Sequence, residues 1–153
     1  MQVKEIMTVA VECCMIEDNS QKAAEIMKNA DTGVAPVLAD ENSPKVVGII
    51  TDRDLCLGVV AAGRNPREVR VKECMTGRVV TCHPEDDVRR VAEMMAENQI
   101  RRIPVVDRDG GIVGIVSLAD ISREDRMESK SGEALRDISE PTDETSRPGA
   151  ESR

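Results

Sequence analysis

Apolar residues in this chain fall into short runs, and the runs occur as two matching sets. Val88, Val91, Ala92 and Met95 stand at i, i+3, i+4 and i+7, the stripe of an amphipathic helix. Ser20, Ala23, Ala24 and Met27 hold the same places earlier in the chain, with a weaker stripe. Each helix follows a polar stretch, Ile16–Ser20 or Pro84–Asp87, that supplies N-cap residues and acids where the helix dipole favours them. Ahead of each helix the spacing predicts a short strand, about Val9–Cys14 and Val79–Cys82. Behind each helix come two apolar runs, Val34–Leu38 with Val46–Thr51 and Ile103–Val106 with Ile112–Ser117. Turns at 40–44 and 107–111 join the members of each pair, which predicts two hairpins. A last helix is predicted to start at Asp52 and again at Leu118.

The two sets are one unit written twice. Val3-Lys-Glu-Ile-Met-Thr8 returns as Val71-Lys-Glu-Cys-Met-Thr76, a shift of 68 residues. Pro36-Val37 falls on Pro104-Val105 at the same shift. After a contraction of two residues, Gly48-Ile-Ile-Thr51 falls on Gly114-Ile-Val-Ser117, and Asp54 on Asp120. A fixed period means a duplicated supersecondary unit. The hexapeptide reads as a helical lead-in, so each unit runs strand, helix, strand, strand, helix: an α/β fold of the α+β type. Two such units are expected to pack about a pseudo-two-fold axis, with any site at their seam present as a pair. The first copy takes residues 1–66, ending in the helix stop around Gly63 and Pro66, and the second takes 67–126. The rest, 127–153, is rich in Ser, Glu, Asp, Thr, Gly and Pro and is expected to be a disordered acidic tail.

Composition narrows the chemistry. The net charge is −8, and a basic face for nucleic acid is not expected. The chain has no Phe, Tyr or Trp, so the core must be aliphatic with methionine filling gaps, and no ring is available to stack on a base. No apolar run approaches the ~20 residues that cross a bilayer, and no secretion signal is seen, which predicts a cytoplasmic protein. The five cysteines show no Cys-x-x-Cys spacing and predict no disulfide framework.

The sharpest chemical signal lies where the last strand of each copy meets the last helix. Thr51 precedes Asp54 by three residues, and Ser117 precedes Asp120 likewise. At such a corner a hydroxyl can donate to a phosphate, and a carboxylate can accept from the paired hydroxyls of a ribose. The helix N-terminus favours the anion. The same spacing is also a capping box that serves only the helix. A glycine three residues before each hydroxyl, Gly48 or Gly114, suits close approach of a ligand or of a second backbone.

With these residues in view the repeat resembles the CBS domain, and the chain a tandem pair of the stand-alone bacterial type, a Bateman module. The likeness rests on the Met-Thr lead-ins, Ile103-Pro-Val-Val-Asp107, Gly110-Gly-Ile-Val-Gly-Ile-Val-Ser117 and the terminal Asp of each copy, and covers about residues 3–125. The resemblance implies clefts between the copies for adenosyl ligands: AMP, ADP or ATP first, S-adenosylmethionine or NAD behind them, with Mg²⁺ as a companion of a nucleotide. It implies phosphate contacts at Thr51 and Ser117 and ribose contacts at Asp54 and Asp120. Each cleft would draw on the opposite copy: Thr8 with Thr32-Gly33-Val34 for the Asp120 cleft, Thr76 with Ile100-Arg101-Arg102 for the Asp54 cleft. Arg101 and Arg102 read either as counter-charges for a polyphosphate or as solvated surface arginines. Since the first copy has Gly33-Val34 where the second has Arg101-Arg102, the two clefts are expected to be unequal.

Three functions remain open at this point. The first is a non-enzymatic sensor that couples adenosine-nucleotide occupancy to conformation or to an unknown regulated partner, acting as a homodimer. The second is a redox or metal sensor built on Cys13, Cys14, Cys82 and the single histidine, His83. The third is a structural dimerisation module in which both hydroxyl–Asp pairs are caps. Asp52 and Asp54 could hold Mg²⁺ or simply stand as acids at a helix start. No nucleophile–base pair is visible, and no enzyme is expected.

Overall fold

In a computed structural model the described residues are 1–124 together with Ala134, Asp137 and Ile138. In the first copy, strand β1 (Cys14–Met15) leads into helix α1 (Ser20–Asn29), then strands β2 (Val34–Leu38) and β3 (Val46–Thr51). Helix α2 (Asp52–Leu55) follows and continues as a π-helical turn over Cys56–Val60. The second copy has α3 (Val71–Cys74), α4 (Val88–Asn98), β4 (Arg102–Val106), β5 (Ile112–Ser117) and α5 (Leu118–Ser122). Both hairpins form: β2 pairs antiparallel with β3, β4 antiparallel with β5, and each carries an irregularity at the same place, Val37/Leu38 and Val105/Val106.

The helical stripes bury as their spacing requires. Val88, Val91, Ala92 and Met95 of α4 are all buried. On α1 the buried set is Ser20, Ala23 and Met27, while Ala24 faces solvent and Ile26 is half-buried. A serine is tolerated in that core because its hydroxyl donates to the Val69 carbonyl at 2.6 Å. Asn19 caps α1 by accepting from the Lys22 N–H, and Asp87 caps α4 by accepting from the Arg89 N–H.

The first predicted strands are shorter than expected. Regular pairing begins only at Cys14, where β1 runs parallel to β2, and in the second copy only Cys82 makes a bridge, to Val105. Residues 9–13 cross from one copy towards the other, which leaves Val9 70% exposed, so an apolar run there is a crossover rather than a strand.

The two lead-ins change places. Val3 and Lys4 donate their N–H groups to Asp86 and Pro84 of the second copy, and Val88 donates to Met1. The counterparts 68 residues away are Val71 to Asp18, Lys72 to Ile16 and Ser20 to Val69. Val3 accordingly lies in the core of Val88, Val91, Met95, Ile103 and Ile121, and Val71 in that of Cys14, Ala23, Val37 and Ile50. Both valines are fully buried. The pseudo-two-fold relation is thus carried by main-chain bonds as well as by side-chain packing.

Most of 127–153 lies outside the described residues. Within it Ala134 is helical, only 3% exposed and part of the second core, with Ile138 packed beside it.

Candidate functional site between the two copies

Each hydroxyl–acid corner sits where a lead-in crosses a hairpin. Thr8 exchanges two main-chain hydrogen bonds with Ile115, both 2.9 Å, and Thr76 exchanges two with Ile49, at 2.9 and 3.0 Å. Gly114 and Gly48 make this crossing possible. A Cβ on Gly114 would lie 2.9 Å from the Thr8 carbonyl oxygen, and one on Gly48 would lie 3.1 Å from that of Thr76. The recurring glycine therefore admits a second backbone, the lead-in of the other copy.

Both capping boxes are closed. The Asp54 N–H donates to Thr51 Oγ1 at 3.1 Å and the Thr51 N–H to Asp54 Oδ2 at 2.9 Å. The Asp120 N–H donates to Ser117 Oγ at 3.1 Å and the Ser117 N–H to Asp120 Oδ2 at 2.8 Å. In the first turn of α2 no N–H group is left free for a phosphate. The Asp52 N–H donates to the Gly33 carbonyl, and the Arg53 N–H to Asp52 Oδ1. The Leu118 N–H at the start of α5 likewise donates to the Arg101 carbonyl. An anion held at the start of α2 therefore needs side-chain cations.

The two corners differ in how their hydroxyls are used. Ser117 Oγ donates to Asp120 Oδ2 at 2.7 Å, whereas Thr51 Oγ1 has no such acceptor among the described residues. Asp120 also pairs with Arg123 at 3.5 Å.

Two cavities open at the seam. One, about 280 Å³, is lined by Thr8, Thr32, Val34, Ser117 and Asp120, joined by Glu12, Asp31 and Arg102. The other, about 590 Å³, is lined by Thr51, Asp52, Arg53, Ile100, Arg101 and Arg102, with Gly33, Val34 and Gln99. The larger falls within the ~300–1,000 Å³ of small-ligand sites and the smaller just below it. Gly33 faces the Thr51 cavity rather than the Ser117 cavity, because its backbone holds Asp52; a Cβ there would meet the Asp52 carboxylate at 2.7 Å. Asp54 and Thr76 do not line the Thr51 cavity. Asp54 is turned into its capping box, and Thr76 is paired with Ile49.

Sequence reasoning missed Glu12, Asp31, Arg53 and Gln99. Asp31 and Gln99 both take positive φ, 50° and 53°, just beyond α1 and α4, which turns the chain into the clefts. They stand 68 residues apart, and that equivalence is the signal that could have found them.

The cysteines do not gather. Cys14 and Cys82 lie in separate cores, and burial pushes each thiol up to about 12. Burial, helped by Glu12, pushes Cys13 up to about 11. His83 Nδ1 donates to the Val106 carbonyl at 3.0 Å. Among the described residues no three His, Cys, Asp or Glu side chains are placed to hold a metal ion. None of the described helices is long and apolar enough to cross a membrane.

The CBS-domain family model matches residues 3–60 and 71–126, one copy each. The chain belongs to the CBS-domain family. This CBS pair is 38% identical to protein YlbB of Bacillus subtilis over 139 residues, 91% of this chain and 92% of that one. It is 30% identical to Hypoxic response protein 1 of Mycobacterium tuberculosis over 120 residues, 78% and 82% of the two chains. Among solved structures it resembles Hypoxic Response Protein I with two coordinated zinc ions, at TM-score 0.73, 29% identity and coverage of 81% and 98%. It also resembles the CBS domain pair of protein MJ0100 in complex with 5′-methylthioadenosine and S-adenosyl-L-methionine, at TM-score 0.70, 33% identity and coverage of 80% and 94%.

Proposed function

We propose that this CBS pair is a cytoplasmic, non-enzymatic regulatory module that binds an adenosine phosphate in the Thr51 cleft. The observation that carries the reading is the convergence of Arg53, Arg101 and Arg102 on one cavity, beside a threonine hydroxyl that is free to donate. Among the described residues none of the three arginines makes an ion pair. Three unpaired guanidinium groups against the single carboxylate of Asp52 suit a phosphate chain, and charge-assisted hydrogen bonds of this kind contribute roughly 1.5–3 kcal/mol each. The adenosyl part is supported by the family and by the ligands of the MJ0100 pair. Binding across the seam would shift the packing of the copies, and thereby a partner or a homodimer equilibrium. Leu57 and Val60, 53% and 75% exposed on the turn that continues α2, offer a second copy an apolar face.

A structural module without ligand is the second reading, favoured by the closed capping boxes. Dye-based thermal shift separates the two, with AMP, ADP, ATP, NAD and S-adenosylmethionine as probes. A nucleotide at 100-fold over its Kd adds about 2.7 kcal/mol, roughly 5–10 °C for a chain of this size. The shift should shrink in Thr51→Val and in Arg101→Gln. A flat response to every probe leaves the structural module standing instead.

A further inference from the structure

The clefts carry opposite charge, and one charged residue belongs to both. The Ser117 cleft presents Glu12, Asp31 and Asp120 against Arg102. The Thr51 cleft presents Arg53, Arg101 and Arg102 against Asp52. The inversion arises at equivalent positions of the repeat: Asp31 answers to Gln99, Glu12 to Val80 and Gly33 to Arg101. Arg102 stands directly opposite Ser117 in the β4–β5 register, where the first copy has Val34 opposite Thr51. It is exposed, has no ion-pair partner among the described residues, and lines both cavities.

We propose that Arg102 couples the clefts, so that a phosphate in the Thr51 cleft strengthens binding of a cationic adenosyl compound, a sulfonium, in the Ser117 cleft and weakens a second anion there. The proposal rests on the reading of the clefts as adenosyl sites. In the empty protein the guanidinium offsets the carboxylates of the Ser117 cleft. A phosphate beside Arg102 neutralises that cation or draws it away, and the neighbouring cavity turns more negative in either case. A cation gains, a neutral adenosyl compound is indifferent and an anion loses. Linkage makes the effect reciprocal: the sulfonium strengthens the phosphate by the same factor. Because exposed charges carry it, added salt reduces it.

The test is isothermal titration of the full chain with S-adenosylmethionine or 5′-methylthioadenosine, each with and without saturating AMP. Circular dichroism checks that every variant is folded. Expected is a Kd for S-adenosylmethionine that falls by about five-fold or more when AMP is present, within the usual range of site coupling. The Kd for 5′-methylthioadenosine should stay within two-fold (~0.4 kcal/mol). In Arg102→Gln, AMP binds more weakly but, once saturating, no longer changes the Kd for S-adenosylmethionine. The proposal is overturned if AMP binds while the affinity for S-adenosylmethionine is unchanged or reduced, if S-adenosylmethionine does not bind, or if coupling survives in Arg102→Gln. Failure of AMP itself to bind overturns the nucleotide reading along with it, so the two failures are told apart by the AMP titration alone.

Discussion

Replacing Gly114 by alanine tests the crossing that builds the seam. The new Cβ would lie 2.9 Å from the Thr8 carbonyl oxygen and 2.8 Å from the Met7 sulfur. The sulfur can swing aside, but the carbonyl is main chain and is held by its two bonds to Ile115. Relief therefore means moving the lead-in. Overpacking of this kind costs about 1–3 kcal/mol, and weakening two hydrogen bonds adds about 1 kcal/mol each. The lower entropy of the unfolded alanine chain returns roughly 0.4–1 kcal/mol. The net is a destabilisation of about 2–4 kcal/mol, or roughly 6–12 °C in Tm at about 3 °C per kcal/mol. Circular dichroism at a helical wavelength is the assay, since the chain has no Trp or Tyr to report by fluorescence. Gly77→Ala is the control, because its Cβ would meet nothing within 4 Å. Gly48→Ala should fall between them: its tightest contact, at 2.6 Å, is with the mobile Met75 sulfur, and the Thr76 carbonyl stands farther off at 3.1 Å. If Gly114→Ala melts with Gly77→Ala, the lead-in does not lie against the hairpin as described.

Other perturbations probe the exchanged lead-ins, the thiols and the helix cap. Val3→Ala and Val71→Ala each remove a fully buried side chain from the core of the opposite copy, and each should cost about 2 kcal/mol in chemical denaturation; a loss below 0.5 kcal/mol would contradict the exchange. Burial raises the Cys14 and Cys82 thiols to about 12, so their contribution to stability is present below the ordinary thiol value near 9 and is lost as pH climbs towards 12. Iodoacetamide at pH 8 should accordingly label exposed Cys56 first and leave Cys14 and Cys82 unmodified in the folded protein. The hydrogen bonds from Arg89 hold the Asp87 carboxyl down to about 2, so its contribution is present above the usual carboxylate range near 4 and is lost as pH falls towards 2. Asp87→Asn should melt with a shallower acid dependence in that window than the parent; equal slopes would show that the cap does not titrate as described.

Much of the architecture is legible in residue spacing. The 68-residue shift, the α4 stripe and both hairpins can be read because each follows from local periodicity. What spacing cannot say is which copy a segment packs against. Val3 and Val71 occupy identical hexapeptide positions, and only the folded chain sends each across the seam. The same blindness makes residues 9–13 look like a strand. In the clefts, Arg101 and Arg102 stood out against Gly33 and Val34 because the repeat could be aligned. Asp31 and Gln99 did not, since their place depends on a positive-φ turn that neither residue type announces. Asp54 and Thr76 were carried over by motif, yet hydrogen bonding turns the first into its cap and the second onto Ile49.

On the proposed reading, the Thr51 cleft holds an adenosine phosphate by its three arginines. The most direct measurement is an isothermal titration of ATP into the parent protein and into the Arg101→Gln/Arg102→Gln double variant. Binding to the parent should be saturable and at least ten-fold weaker in the double variant, since each lost charge-assisted bond is worth more than about 1.4 kcal/mol. Equal affinity for both proteins, or no saturable binding of ATP, ADP or AMP to a folded parent, would contradict it.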